Sequence, residues 1–224
     1  MDIIGQSKVI YSDQKTIHKD LQSIVQNYLN SKYLRPIEPQ VEVFVRDLVE
    51  KVQSYRGLIV DSCCGIGEST FHLAIENPEY LILGVDKSES RLSRKNKFKD
   101  SLPNNIIFRQ GNMLDYWLAL KKFELELNIA KIFILFPNPY PKPSQLKKRW
   151  HAHPIIETIF SFRCELELRT NWEIYNLEFA SVCGQFGRNI LYSGIYQPEK
   201  IITPFERKYK ESHHTLFKSC ISSL

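Results

Sequence analysis

The stretch "GLIVDSCCGIG" (residues 57–67) decides how this chain folds. Leu58, Ile59 and Val60 form a short unbroken apolar run of the kind a buried strand shows. Gly65 and Gly67 follow, and glycine lets a backbone turn tightly and approach a ligand closely. The next segment, "ESTFHLAIEN" (68–77), reads as a helix. The unit repeats downstream. "YLILGVD" (80–86) is a second strand, followed by a basic helix over 88–100. "NIIFRQ" (105–110) is a third strand, with a helix over 113–124, and "AKIFILF" (130–136) is a fourth, leading to a proline-rich loop and a helix near 154–162. "ELELRT" (165–170) and "NILYSGIY" (189–196) are later strands with a helix over 171–183 between them. Strands alternating with helices, the strands continuously apolar, specify an α/β fold with a doubly wound, mainly parallel sheet. Ligands of such sheets bind beyond the carboxyl ends of the strands. Upstream, residues 13–30 and 38–54 read as helices separated by Pro36 and Pro39; Leu21, Ile24, Val25, Tyr28 and Leu29 share one apolar face. The expected organisation is an N-terminal helical extension over 1–55 and a main domain over 56–224.

Composition sets the boundaries. The chain has 224 residues, 43% hydrophobic and 25% charged, which suits a globular domain with a full core. Its formal charge of +5 is mild but unevenly placed. Arg91, Arg94, Lys95, Lys97 and Lys99 fall together, as do Lys142, Lys147, Lys148 and Arg149, which suggests an anionic partner or, for the first cluster, a solvated helix face. The opening "MDIIGQSKVIYSDQ" has no long apolar segment, and no run approaches the ~18 apolar residues of a membrane helix. Five cysteines, an odd number, read as reduced thiols of a cytoplasmic protein. His151 and His153 lack a matching Cys/His pair, so no metal site is expected.

The glycine turn reads as a cofactor site. Asp86 ends the second strand about twenty residues after the glycines, where a carboxylate can accept hydrogen bonds from ribose hydroxyls. A dinucleotide and S-adenosylmethionine both suit that geometry. A dinucleotide site wants a third glycine where this chain has Thr70, whereas Asp61 can meet the ammonium group that only S-adenosylmethionine carries. The methyl donor is therefore favoured, and Cys63 stands where a further glycine would be usual.

The fourth strand runs into "IFILFPNPYPKPSQLKKRW" (132–150). Pro137, Pro139, Pro141 and Pro143 each fix their own φ, remove a backbone donor and push the preceding residue toward extended geometry. A stiff, extended arm at the ligand edge of the sheet is expected.

From about Leu58 to Tyr209 the chain resembles the bacterial tRNA (guanine-N7)-methyltransferases. Their motif Phe-Pro-Asp-Pro-Trp-x-Lys, a basic run and a proline match "FPNPYPK" (136–142), "KKR" (147–149) and Pro154. Their Thr-Asp-aromatic motif looks like "RTNWEIY" (169–175), and their Thr-x-Tyr-Glu-x-Lys-Phe looks like "TPFERKY" (203–209). The resemblance implies the Rossmann-like class I S-adenosylmethionine-dependent methyltransferase fold, with the cofactor held by Asp61, Cys63, Gly65, Gly67, Asp86, Asn112 and Met113. It implies tRNA as partner and a guanine of the variable loop as target. Asn138 and Glu206 become the catalytic candidates. Tyr140, Lys142, Lys147, Lys148, Arg149, Asn171, Thr203 and Glu206 become the substrate-binding candidates, with Tyr140 stacking on the base and the cations on phosphates. Asn138, Asn171 and Asn112 stand where the family has aspartate, and Ser144 and Gln145 where it usually has Arg-His. Two other functions fit. "NPYP" is similar to the Asn-Pro-Pro-Tyr loop of amino-group methyltransferases, and the missing carboxylates suit a cofactor-binding, tRNA-binding protein with little catalysis.

Overall fold

A computed structural model describes residues 7–31, 33–94 and 102–224. An irregular segment over 7–20 leads to helix α1 (Leu21–Leu29) and helix α2 (Pro39–Val52), with Pro39 in its first turn. Strands β1 (Leu58–Ser62) and β2 (Leu81–Asp86) flank helix α3 (Glu68–Glu76). Helix α4 (Glu89–Leu92), strand β3 (Ile106–Gln110), helices α5 (Met113–Lys122) and α6 (Glu124–Leu127) and strand β4 (Ile129–Leu135) follow. Two short 3-10 turns, Pro143–Lys148 and Trp150–Ala152, precede helix α7 (Ile156–Ser161). The chain ends with β5 (Glu165–Thr170), α8 (Glu173–Ser181), β6 (Ile190–Ile195), α9 (Pro204–Glu211) and β7 (Phe217–Ile221). The strands are ordered β3-β2-β1-β4-β5-β7-β6 in a mixed sheet.

The expected α/β doubly wound sheet is present. The structure comprises two compact units. One unit spans Arg35–Leu135 with Phe162–Glu165. Within it β1 pairs in parallel with β2 and β4, and β2 pairs in parallel with β3. Every side chain of β1 and β2 is buried, the state of strands covered on both faces. Helix α2 buries Val41, Phe44, Val45, Leu48 and Val52, one face at helical spacing, and Phe44 meets Tyr116 of α5 edge to face. Of the expected helix over 88–100, residues 89–92 are helical; Lys95, Lys97 and Lys99 lie outside the described residues.

The other unit gathers the chain through Leu34, Phe136–Ser161 and Leu166–Leu224. In it β7 pairs antiparallel with both β5 and β6. Its strand β7 buries alternate residues, and the polar Ser219 at its centre is fully buried, bonded to Asn176 and Ser193. The N-terminal helix starts at Leu21 rather than near residue 13. Residues 7–18 instead run as a strap whose groups bond to distant partners: Ser7 to Ser212 and His214, Ser12 to Pro141, Gln14 and the His18 amide to Glu178. Within the expected helix, the Gln14 side chain and the His18 amide are drawn to Glu178.

Candidate functional site

At the carboxyl ends of β1 and β2 the chain makes three left-handed residues within five. Cys63 (φ 60°), Gly65 (φ 62°) and Gly67 (φ 81°) alternate with Cys64 and Ile66. Cys63 thus holds a conformation that favours glycine, as its place in the motif suggested. A Cβ at Gly65 would stand in open space, whereas one at Gly67 would lie 2.6 Å from the Phe108 ring. Asp86 closes the turn: its Oδ2 accepts from the Gly65 amide at 2.9 Å. Its Oδ1 accepts from the Ser88 amide at 2.8 Å and pairs with Arg91 at 2.9 Å. A carboxylate has about four lone-pair sites, so Oδ2 retains capacity for a hydroxyl donor. An open glycine surface beside such an acceptor fits the ribose side of a nucleoside cofactor.

Asp61 stands near the end of β1, beside this turn, and is turned inward. It has no exposed surface, and its Oδ2 accepts from the Ser69 and Thr70 hydroxyls at 2.6 Å each. Its carboxylate therefore pins the start of α3 to the end of β1 rather than presenting a surface to a ligand. Thr70, read as the absent third glycine, is one of its two donors. Asn112 caps α5 by accepting from the Leu114 amide at 3.1 Å, and Met113 beside it is buried. That cap is the ordinary use of asparagine before a helix.

In the other unit, the proline arm begins at Phe136, whose amide donates to the Arg169 carbonyl at 2.8 Å. Phe136 (φ 49°) and Tyr140 (φ 45°) are both left-handed, so the arm bends at two points instead of extending throughout. Each precedes a proline, which disfavours the right-handed helical region there. Asn138, Lys142, Lys147 and Lys148 are exposed, and Lys148 Nζ lies 5.8 Å from the Tyr140 ring centroid.

Arg149 is the clear correction. Expected on tRNA phosphates, it is fully buried. Its guanidinium donates to Glu178 Oε2 at 2.6 Å, Gln14 Oε1 at 3.0 Å, and the carbonyls of Tyr140 at 3.2 Å and Lys142 at 3.4 Å. It also lies 4.7 Å from the Trp172 ring centroid. Ser12 Oγ donates to the intervening Pro141 carbonyl. Prolines have no amide hydrogen, so this arm is held through three successive carbonyls. Glu178, also fully buried, accepts from Gln14, the His18 amide, Arg149 and His151. Burial acts to raise its pKa, but the bond to and charge of His151, with Arg149, prevail and hold it down at about 2. His151 is buried and its pKa lowered, chiefly by that burial against the pull of Glu178.

Thr203 and Glu206 form a helix cap. Thr203 Oγ1 accepts from the Glu206 amide at 2.9 Å, and Glu206 Oε2 accepts from the Ile202 amide at 2.8 Å. Glu206 Oε1 takes Arg169 at 2.6 Å and Tyr196 Oη at 2.7 Å, with no exposed surface left. The catalytic expectation for Glu206 thus meets a buried ion pair with Arg169, not an open carboxylate or a surface pair with its neighbours. Burial opposes the charge of Arg169, yet Glu167 and Glu206 outweigh it and raise its pKa. Asn171 is half-buried and contacts His214 Nδ1 at 3.2 Å. The Thr-x-x-Glu spacing is a capping-box signal that would have located this pair in the sequence. Glu178 and Gln14 carry no such local signal.

Among the described residues no group of three or more His, Cys, Asp or Glu could hold a metal ion, and no helix is long and apolar enough to cross a membrane. A family model described as "Putative methyltransferase" matches residues 56–219. A tRNA (guanine-N(7)-)-methyltransferase of Pediococcus pentosaceus is 21% identical, covering 82% of this chain and 95% of that protein. One of Christiangramia forsetii is 24% identical, covering 82% and 89%. A solved structure of an antibiotic-related methyltransferase shares the fold with a TM-score of 0.60 at 18% identity, over 80% of this chain and 94% of that one.

Proposed function

We propose, for a chain that belongs to the "Putative methyltransferase" family and has the S-adenosylmethionine-dependent methyltransferase fold, that it methylates N7 of a guanine in tRNA. The observation that carries this is the proline arm: Asn138 and Lys142 stand exposed, in the motif shared with the tRNA (guanine-N7)-methyltransferases, on a loop fixed through its carbonyls. Bound S-adenosylmethionine supplies an electrophilic methyl group on its sulfonium. The turn from Cys63 to Gly67 and the carboxylate of Asp86 would hold it, with Asn112 and Met113 at the start of α5 and Asp61 bracing α3 behind the turn.

Guanine N7 carries an unprotonated lone pair at neutral pH, so no general base is required and alignment is the task. Positive charge moves onto the purine as the bond forms, and acceptors placed beforehand stabilise it. Asn138 accepts a hydrogen bond from the guanine edge through its amide oxygen. Lys142, Lys147 and Lys148 take tRNA phosphates, which gives a salt-dependent affinity. Tyr140 stacks on the base, and Asn171 lies with the substrate residues. Arg149 acts through the arm, and Thr203 and Glu206 act through the fold of α9. The five free cysteines accord with work in the reducing cytoplasm.

Incubation with unmodified tRNA and S-adenosylmethionine, followed by mass spectrometry of the nucleosides, tests this. New 7-methylguanosine is expected. Methyladenosine instead would favour an amino-group methyltransferase, for which the Asn138 amide is suited. Retained tRNA with no product would favour a binding protein.

A further inference from the structure

At the root of the arm four aromatic rings lie against one another. Phe136 and Phe205 have centroids 6.3 Å apart at 30°, and Phe205 and Tyr209 have centroids 6.0 Å apart at 24°. Tyr209 in turn stacks on His214 at 5.2 Å and 17°. Most of the row is covered: Phe136 is buried, and Tyr209 and His214 are half-buried. Phe205 is different, with 43% of its surface exposed. The ring is held against Phe136 and Tyr209, and the backbone that carries it is held by the caps that Thr203 and Glu206 make in the first turn of α9.

Of the exposed charges on α9, three are cations and one, Glu211 at its far end, is an acid. Arg207, Lys208 and Lys210 of α9 are exposed cations, and Lys208 Nζ lies 5.8 Å from the Tyr209 ring centroid. Glu206, the acid nearest the ring in sequence, is fully buried and paired with Arg169. An aromatic face held amid cations is what an unpaired nucleobase with flanking phosphates binds, because every base offers a π-face and the backbone is anionic.

We propose that Phe205, backed by Phe136 and Tyr209, is a stacking platform for one unpaired base of the RNA substrate, with the cations of α9 taking the adjoining phosphates. This rests on the proposal that the substrate is tRNA, and adds a residue with a specific role in holding it. Because stacking reads no hydrogen-bond pattern, the platform tolerates any base at that nucleotide.

The test is anisotropy of labelled, unmodified tRNA with the parent protein, Phe205→Ala, Phe205→Leu and Phe205→Trp, each across a salt series. Loss of the ring is expected to weaken binding about five- to a hundredfold in the Ala and Leu proteins alike. Phe205→Trp should bind as the parent does. The slope of affinity against salt should stay unchanged, since no phosphate contact is removed. Leucine preserves the apolar bulk, so parent-like binding by Phe205→Leu would overturn the platform, as would a flattened salt slope. Failure of the parent to bind tRNA would overturn it too. Nucleoside analysis of the parent reports separately: without 7-methylguanosine but with the Phe205 effect intact, the guanine-N7 reaction fails and the platform stands.

Discussion

The Arg149 guanidinium lies 2.6 Å from the Glu178 carboxylate, and neither side chain has any exposed surface. The same guanidinium reaches the Tyr140 and Lys142 carbonyls on either side of Pro141. Orientation of the arm, and with it of Asn138, therefore depends on an ion pair that no substrate would touch.

Removing one partner of a buried pair leaves the other charge without compensation, at a cost of about 3–5 kcal/mol. Arg149→Ala should accordingly lower the melting temperature by about 10 °C, given about 2–4 °C per kcal/mol in a chain of this size. Thermal denaturation checks it. A melting temperature within a degree of the parent's would mean that the arm has other support.

Acid should dissolve the same cluster. Glu178 is held down at about 2, so its contribution is present above its ordinary value of 4.5 and is lost as the pH falls between them. That contribution is on the order of 3 kcal/mol. His151, buried with its pKa lowered from 6.5, adds to the loss: the unfolded chain takes up its proton first as the pH falls below that value. Stability measured by urea denaturation should decline from near neutrality and fall more steeply below pH 4.5, and Glu178→Gln should flatten the steep part. A pH-independent stability from 7 to 3 would contradict both.

Asp86→Ala should weaken S-adenosylmethionine binding by roughly 1.5–3 kcal/mol, the worth of hydrogen bonds to a charged group. Titration calorimetry on the protein alone gives the answer without any assay of activity. Unchanged affinity would remove Asp86 from the cofactor site.

Asn138→Asp restores a carboxylate in the same shape, and charge-assisted hydrogen bonds are roughly twice as strong as neutral ones. With guanine as substrate, 7-methylguanosine formation should hold or rise, while Asn138→Ala should cost at least about tenfold in turnover, since misplacement by ~1 Å can cost about a hundredfold. Abolition of activity by the aspartate would show that an amide is required, and the guanine-N7 proposal would give way.

The parallel strands were legible because burial on both faces makes them unbroken apolar runs: Leu58–Ser62 and Leu81–Asp86 lie within their expected segments. Strand β7 was not foreseen, since Lys218 and Ser219 give it a polar look and Ser219 finds its partners in α8 and β6, far away in sequence. The glycine turn and the exposed lysines were equally local in their signals. Arg149 was misread for the opposite reason. Beside Lys147 and Lys148 it completes a basic run, and only the fold reveals that its side chain turns inward to Glu178, twenty-nine residues later. Glu206 shared that fate, because its partners Arg169 and Tyr196 lie outside its helix.

The Arg149–Glu178 pair also constrains how this sequence can change over generations. A lone replacement at either position strands a buried charge, so an intermediate with one partner altered folds poorly before the second change arrives. Gln14, bonded to both partners, and His151, bonded to Glu178, would be left with unmet bonds in that intermediate. The four positions can therefore be expected to drift as a set, at a pace unlike that of Lys147 and Lys148 beside them, whose solvated charges are free to vary one at a time.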